Sequence, residues 1–161
     1  MKRRDFRLYQ KPKQIVFTKE GYDDVQKKYD ELKAERPSAV EHLKKSRELG
    51  DLSENGYYKA SRQRLSYIDS QLLRLGSMLK YGVVHTQKKS GVVEFGSLVT
   101  LKTNDKKIIY TIVSKHEANP SEGKISNVSP LGKQLIGKRE SEKVNLALGE
   151  KTVIYEVLRI R

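Results

Sequence analysis

Cysteine is absent from all 161 residues. That absence removes disulfide frameworks, thiolate metal sites and cysteine nucleophiles together, and it argues against a disulfide-stabilised secreted domain. Tryptophan is absent too, and the aromatic residues amount to nine tyrosines and three phenylalanines. With 36% hydrophobic residues the chain can build a modest core but not a deep enclosed pocket, so a thin or elongated shape fits better. No apolar run approaches the roughly 20 residues needed to cross a bilayer. The start, MKRRDFRLYQKPKQIVF, is charged with no apolar segment behind it, so neither a signal peptide nor a membrane anchor is expected. The expected location is cytoplasmic, with no membrane partner.

What the chain has in excess is positive charge. A formal net charge of +13 attracts polyanions over a long range, whether nucleic acid, a membrane surface or an acidic protein face. The charge is unevenly placed. Residues 1–17 hold six basic and one acidic residue, residues 18–79 hold 12 and 11, and residues 80–161 hold 15 and eight. A nearly neutral middle argues against coating duplex DNA along the whole length, which would favour a continuous cationic stripe. Something more local is suggested, with a nonspecific nucleic-acid contact among the expected partners.

The middle has helical periodicity. Tyr22, Val25, Tyr29, Leu32, Arg36, Ala39 and Leu43 follow one another at intervals of three and four, and Tyr58, Ser61, Leu65, Ile68, Leu72, Leu75 and Leu79 repeat the pattern. Two coiled-coil strands joined through Leu49-Gly50-Asp51-Leu52 predict an antiparallel hairpin over residues 18–81, on the order of 40 Å long at 1.5 Å per residue. Thr18 is placed to cap the first helix, and Pro37 is expected to kink it. After the polar stretch 85–91 the period changes. Val92 to Leu101, Lys107 to Val113, Lys124 to Val128, Lys143 to Leu148 and Thr152 to Ile160 are rich in β-branched residues and partly alternate, as half-buried strands do. A short helix is expected over Leu131 to Ile136. The predicted class is α+β: a basic extension (1–17), the hairpin (18–81), and a small, mostly antiparallel β domain (82–161).

The hairpin tip reads Gly50-Asp51-Leu52-Ser53-Glu54-Asn55. Asp51 and Glu54 would share one face of the first turn of the second helix. The ordinary reading is a capping box, contributing about 1 kcal/mol to the turn. The alternative is that both carboxylates project outward and hold a magnesium ion, whose hard octahedral shell accepts oxygen ligands and retains waters. Two carboxylates are only part of such a site, so a partner would have to supply the rest. Lys44, Lys45 and Arg47 before the tip, with Lys59, Arg62 and Arg64 after it, are either solvated helix faces paired with Glu41 and Glu48 or a grip on a phosphate chain. Tyr58 fits the core register, whereas Tyr57 is freer and suited to stacking on an unpaired base.

The hairpin, this tip, the preceding Glu35-Arg36-Pro37, and the later Ile125-Ser126-Asn127-Val128-Ser129-Pro130-Leu131-Gly132-Lys133-Gln134-Leu135-Ile136-Gly137 resemble the GreA/GreB family of transcript cleavage factors over roughly residues 14–161. The resemblance implies a coiled coil that enters the secondary channel of bacterial RNA polymerase and an FKBP-like sheet domain that docks at the channel rim. It implies that Asp51 and Glu54 hold a second magnesium ion at the polymerase centre, with Ser53 and Asn55 orienting those acids or the attacking water. Arg47 and Arg62 match basic positions expected to contact the extruded RNA, and Lys59 and Arg64 join them in the cluster. The chain would be a monomeric cofactor of the polymerase, not itself an enzyme. It departs from the family pattern at Gly56 and Tyr57, where a small residue and an acid are more usual, which makes the tip less negative.

Three other classes compete. A channel-occupying inhibitor would show a changed tip, yet Asp51 and Glu54 are both present. A prolyl isomerase needs an aromatic-lined pocket, and after residue 90 only Phe95, Tyr110 and Tyr155 are available. A nucleic-acid binder driven by charge alone would not depend on the tip acids, and its affinity would fall steeply with salt. His42, His85 and His116 are scattered along the chain and suggest no metal site.

Overall fold

The computed structural model describes residues 14–49, 56–86, 90–104, 106–149 and 151–161. Strand β1 (Ile15–Phe17) leads into helix α1 (Lys19–Glu48), and helix α2 (Gly56–Tyr81) returns to strand β2 (Gly82–Val84). Strands β3 (Leu98–Thr103), β4 (Lys106–Val113), β5 (Lys124–Ser126), β6 (Lys143–Leu148) and β7 (Lys151–Ile160) form the second unit, with helix α3 (Pro130–Leu135) between β5 and β6. The expected class is found: a helical hairpin followed by a small, mostly antiparallel sheet.

Thr18 caps α1 as its position predicts, its hydroxyl accepting from the Gly21 N–H at 3.0 Å. The helix continues through Pro37 without a break in its assignment. The apolar seam follows the expected spacing, but its side chains shrink toward the tip. Beyond Gly21 on α1 the buried positions run Leu32, Ala39, Ser46, and beyond Met78 on α2, counted from the same end, Leu75, Ile68, Ser61. Three seam positions differ from the expected pattern, the first being Arg36, which is exposed. Ser46 is buried where only the spacing, not the residue type, would suggest it, and its hydroxyl donates to the Leu43 carbonyl at 2.8 Å. Met78 is buried in preference to Leu79. Apolar stabilisation is therefore concentrated in the half of the hairpin nearer the sheet.

Across the seam, two ion pairs set the register of the helices. Arg36 Nε donates to Asp69 Oδ1 at 2.7 Å, which holds the guanidinium pKa above its ordinary value. Arg64 donates from Nε and Nη2 to Glu35 Oε1 at 2.8 and 2.5 Å. Both pairs are exposed, so their part is in alignment more than in net stability.

The hairpin base holds an element that periodicity does not suggest: β1 and β2 pair in parallel, with Ile15 opposite Gly82 and Phe17 opposite Val84. Phe17 is wholly buried there, its ring 6.1 Å from that of Tyr22. The five-stranded sheet has the order β5-β4-β3-β7-β6, antiparallel except for the parallel β4–β5 pair. Val99, Leu101, Ile112, Val144 and Val157 face inward from the strands, and Leu135 of α3 closes the core.

The strand expected over Val92–Leu101 starts only at Leu98. Gly96 takes φ +88°, and the Glu94 N–H donates to Ser97 Oγ at 2.9 Å, so the chain turns before the strand begins. The strand expected over Lys124 to Val128 likewise ends at Ser126, leaving Val128 exposed in the approach to α3. Ser129 caps α3, accepting from Gly132 N–H at 3.1 Å and donating to the Ser126 carbonyl at 2.7 Å, with Pro130 in the first turn. A Cβ on Gly132 would stand 2.0 Å from the Ser126 carbonyl oxygen, so no larger residue fits that corner. Much of the Ser-Asn-Val-Ser-Pro-Leu-Gly segment thus has a folding explanation.

The two units meet at the loop after β4 and at β5. The Glu117 carboxylate accepts from the Thr18 N–H at 3.2 Å and the Thr18 hydroxyl, and from the Ser114 N–H at 3.3 Å and hydroxyl at 2.7 Å. Lys124 reaches Glu20 at 3.1 Å, a hydrogen bond that raises the Lys124 pKa.

Candidate functional site at the hairpin tip

Leu49 ends α1 with φ −84° and ψ 8°, and α2 is described from Gly56. Asp51, Ser53, Glu54 and Asn55 lie outside the described residues. Their place in the chain is nevertheless informative. They join the distal ends of helices of 30 and 26 residues, about 45 and 39 Å long at 1.5 Å per residue, while both proximal ends sit beside the sheet. Among the described residues no group of three or more His, Asp or Glu side chains is arranged to hold a metal.

The basic residues around the tip do not make one patch. Lys45 pairs with Glu41 at 2.7 Å within α1, lowering the Glu41 pKa and raising its own through that hydrogen bond. Arg47 sits with its guanidinium carbon 6.0 Å from the Tyr58 ring centre, a cation–π contact that bridges the two helices. Lys59 and Arg62 are exposed and share a face of α2, where with Gln63, Ser66, Tyr67 and Ser70 they line a shallow open groove of about 510 Å³. Neither is paired with a carboxylate among the described residues. Arg64 turns to the other flank, where it is engaged by Glu35 and lies 5.5 Å from the Tyr67 ring centre.

That other flank holds a feature the sequence does not announce. His42 Nδ1 and the Tyr57 hydroxyl are 2.8 Å apart, with ring planes at 88°. The other two histidines also rest on aromatic rings, His85 against Phe95 and His116 against Phe17. A helical wheel would place His42 on one side of α1 and Tyr57 on one side of α2, but only the hairpin register brings them together.

Comparison with known proteins decides the family. Residues 15–84 match the family described as transcription elongation factor, N-terminal, and residues 87–161 match that described as transcription elongation factor, GreA/GreB, C-term. The chain belongs to the GreA/GreB family of transcription elongation factors. Two GreA relatives named as transcription elongation factors, from Nitratiruptor sp. and Clostridioides difficile, are 40% and 35% identical to it. The alignments cover 89% and 92% of this chain and 90% and 97% of the relatives. Among solved structures, GreA factor homolog 1 of Thermus thermophilus is 24% identical, with a TM-score of 0.44 over 92% of this chain and 99% of that one. As a GreA/GreB family member, the chain combines an N-terminal helical hairpin with a C-terminal sheet; the first matched region ends with β2 and the second begins at residue 87. No helix among the described residues is long and apolar enough to cross a membrane.

Proposed function

We propose that this chain inserts its helical hairpin (18–81) into the secondary channel of bacterial RNA polymerase, with the sheet domain (82–161) docked at the channel rim. There it stimulates the polymerase's own endonucleolytic cleavage of backtracked nascent RNA and so rescues arrested complexes. The observation that carries this reading is that the segment holding Asp51 and Glu54 connects, in the chain, two long helices whose other ends lie beside the sheet. Such a placement suits delivery of carboxylates into another protein's active centre and gives little advantage to a site of its own.

Two carboxylates are a fitting donor set for a hard cation such as magnesium, but they fill only part of an octahedral shell. Asp51 and Glu54 would therefore share the ion with the polymerase. When bound there, the ion would lower the pKa of a coordinated water and screen the phosphate. Ser53 and Asn55 would orient the acids, and Lys59, Arg62 and Arg47 would hold the extruded RNA. The chain acts in this reading as a monomer and a cofactor, not as a free nuclease.

The test is transcript shortening in a stalled, backtracked polymerase complex with magnesium, comparing no factor, the wild-type chain, and Asp51→Ala combined with Glu54→Ala. Shortening that appears with wild type and returns to the no-factor rate in the double variant supports delivered carboxylates. Tight polymerase binding by the wild type with no shortening sinks the reading and makes the chain a channel-occupying inhibitor.

A further inference from the structure

The groove beside His42 and Tyr57 has a volume of about 310 Å³, at the low end of the roughly 300–1,000 Å³ of small-molecule sites. Its existence follows from the shrinking seam. Where Leu32 and Leu75 fill the proximal hairpin, the groove floor has Ala39 and Ser61, both buried, so the helices leave space between the side chains that rise on either side. The wall toward the tip is the Tyr57 ring, 41% exposed and tethered through its hydroxyl to His42. A ring held at its far edge gives up little further rotamer freedom when a planar group stacks on it. The opposite wall is the Glu35–Arg64 pair. Both Arg64 bonds end on Glu35 Oε1, so Glu35 Oε2 and the remaining guanidinium N–H groups are left to meet a ligand.

One concave site thus offers an aromatic face, a carboxylate acceptor and guanidinium donors. A single unpaired nucleobase uses all three: its face stacks, and its edge exchanges hydrogen bonds. Guanine matches best, because its N1–H and N2–H suit the carboxylate while O6 and N7 suit arginine. We propose that this groove binds one base of the extruded RNA, guanine in preference to a pyrimidine. The inference rests on the cleavage-factor reading, since it is inside the polymerase that the hairpin would meet such a strand. Arg64 is thereby assigned to base recognition in the flank groove, apart from the phosphate grip at Lys59 and Arg62.

The experiment has two arms. In the first, the isotope-labelled full chain is titrated with guanosine 5′-monophosphate, cytidine 5′-monophosphate and ribose 5-phosphate, and amide shifts are followed by NMR. Shifts centred on Tyr57, Ser61 and Arg64 are expected with the guanine nucleotide and weaker ones with the cytosine nucleotide. Tyr57→Ala should weaken the guanine binding about tenfold, as loss of a stacking ring does. Tyr57→Phe, which keeps the ring and loses the His42 bond, should fall between the two, and unchanged far-UV circular dichroism controls for folding. In the second arm, transcript cleavage is measured in backtracked complexes whose extruded segment ends in G or in C. A G preference that disappears in Tyr57→Ala supports the groove. Stimulated cleavage together with identical shifts from ribose 5-phosphate and the guanine nucleotide would overturn the groove and leave the cleavage reading intact. Guanine binding at these residues without any stimulated cleavage would overturn the cleavage reading and leave the base site standing.

Discussion

Glu117 and Thr18 are 99 positions apart in the chain, yet the Glu117 carboxylate accepts from both the backbone N–H and the hydroxyl of Thr18. The same hydroxyl accepts from Gly21 and so caps α1. A negative group at that helix N-terminus also meets the positive end of the helix dipole. The capping of the hairpin's first helix and the attachment of the sheet unit are therefore one hydrogen-bond network. Glu117→Ala is expected to lower unfolding stability by about 1–3 kcal/mol, the cost of leaving partly buried donors without their acceptor. Urea titration checks this, and a double-mutant cycle with Thr18→Ala should show a coupling well away from zero. Gly21→Ala should act in the same direction, because its Cβ would fall 1.9 Å from Glu117 Oε2.

The shrinking seam predicts a gradient of stability along the hairpin. Amide hydrogen exchange should be slow around Leu32, Ile68 and Leu75 and faster toward Ser46 and Ser61, where the buried side chains contribute little apolar area. Leu32→Ala should cost about 2–5 kcal/mol, whereas Ser61→Ala should change stability by less than about 1 kcal/mol. Uniform exchange along both helices would contradict the gradient.

Lys59 and Arg62 line one groove while Arg64 lines another, so their removal should have different signatures. Lys59→Ala with Arg62→Ala should raise the factor concentration needed for half-maximal transcript cleavage for every RNA sequence. It should also flatten the salt dependence, as loss of phosphate contacts does. Arg64→Gln should leave the salt dependence nearly unchanged and act on base preference. Measuring both variants at several ionic strengths separates the two roles.

His116 rests against Phe17, and burial there is the main reason its pKa lies below the ordinary histidine value, with Lys115 and Arg74 adding to the shift and Glu117 opposing it. The folded protein thus binds fewer protons at this site than the unfolded chain, so stability rises with pH through the window between the two values. The contribution is complete above the unfolded value of about 6.5 and is lost as pH falls through the folded one. The side chain is exposed overall, which keeps the effect small. His116→Gln should give a shallower fall in Tm between about pH 7 and about pH 5 than the wild type, measured by thermal unfolding.

Local order was legible in the chain where a residue's neighbours in sequence are also its neighbours in space. The three-and-four spacing from Tyr22 to Leu43 and from Tyr58 to Leu79, the Thr18 cap, and the β-branched runs of β4, β6 and β7 all belong to that class, and all three kinds appear in the fold. The tip motif was legible for the same reason, as six consecutive residues. Where a local pattern misled, a single residue outweighed it: Gly96 turned the chain inside an apparent strand, and Ser46 entered a seam by spacing despite its polar side chain.

What the tertiary structure decided is every relation between segments far apart in the chain. The parallel pairing of Ile15–Phe17 with Gly82–Val84, the Glu117 network at Thr18, the meeting of His42 with Tyr57, and the pairing of Glu35 with Arg64 depend on how two helices align and where the sheet attaches. Hydrophobic periodicity specifies which face of a helix is buried, but the same stripe is compatible with several registers against a partner. Cross-helix ion pairs and a shared cap select one of them, and that selection determines which side chains gather into a groove.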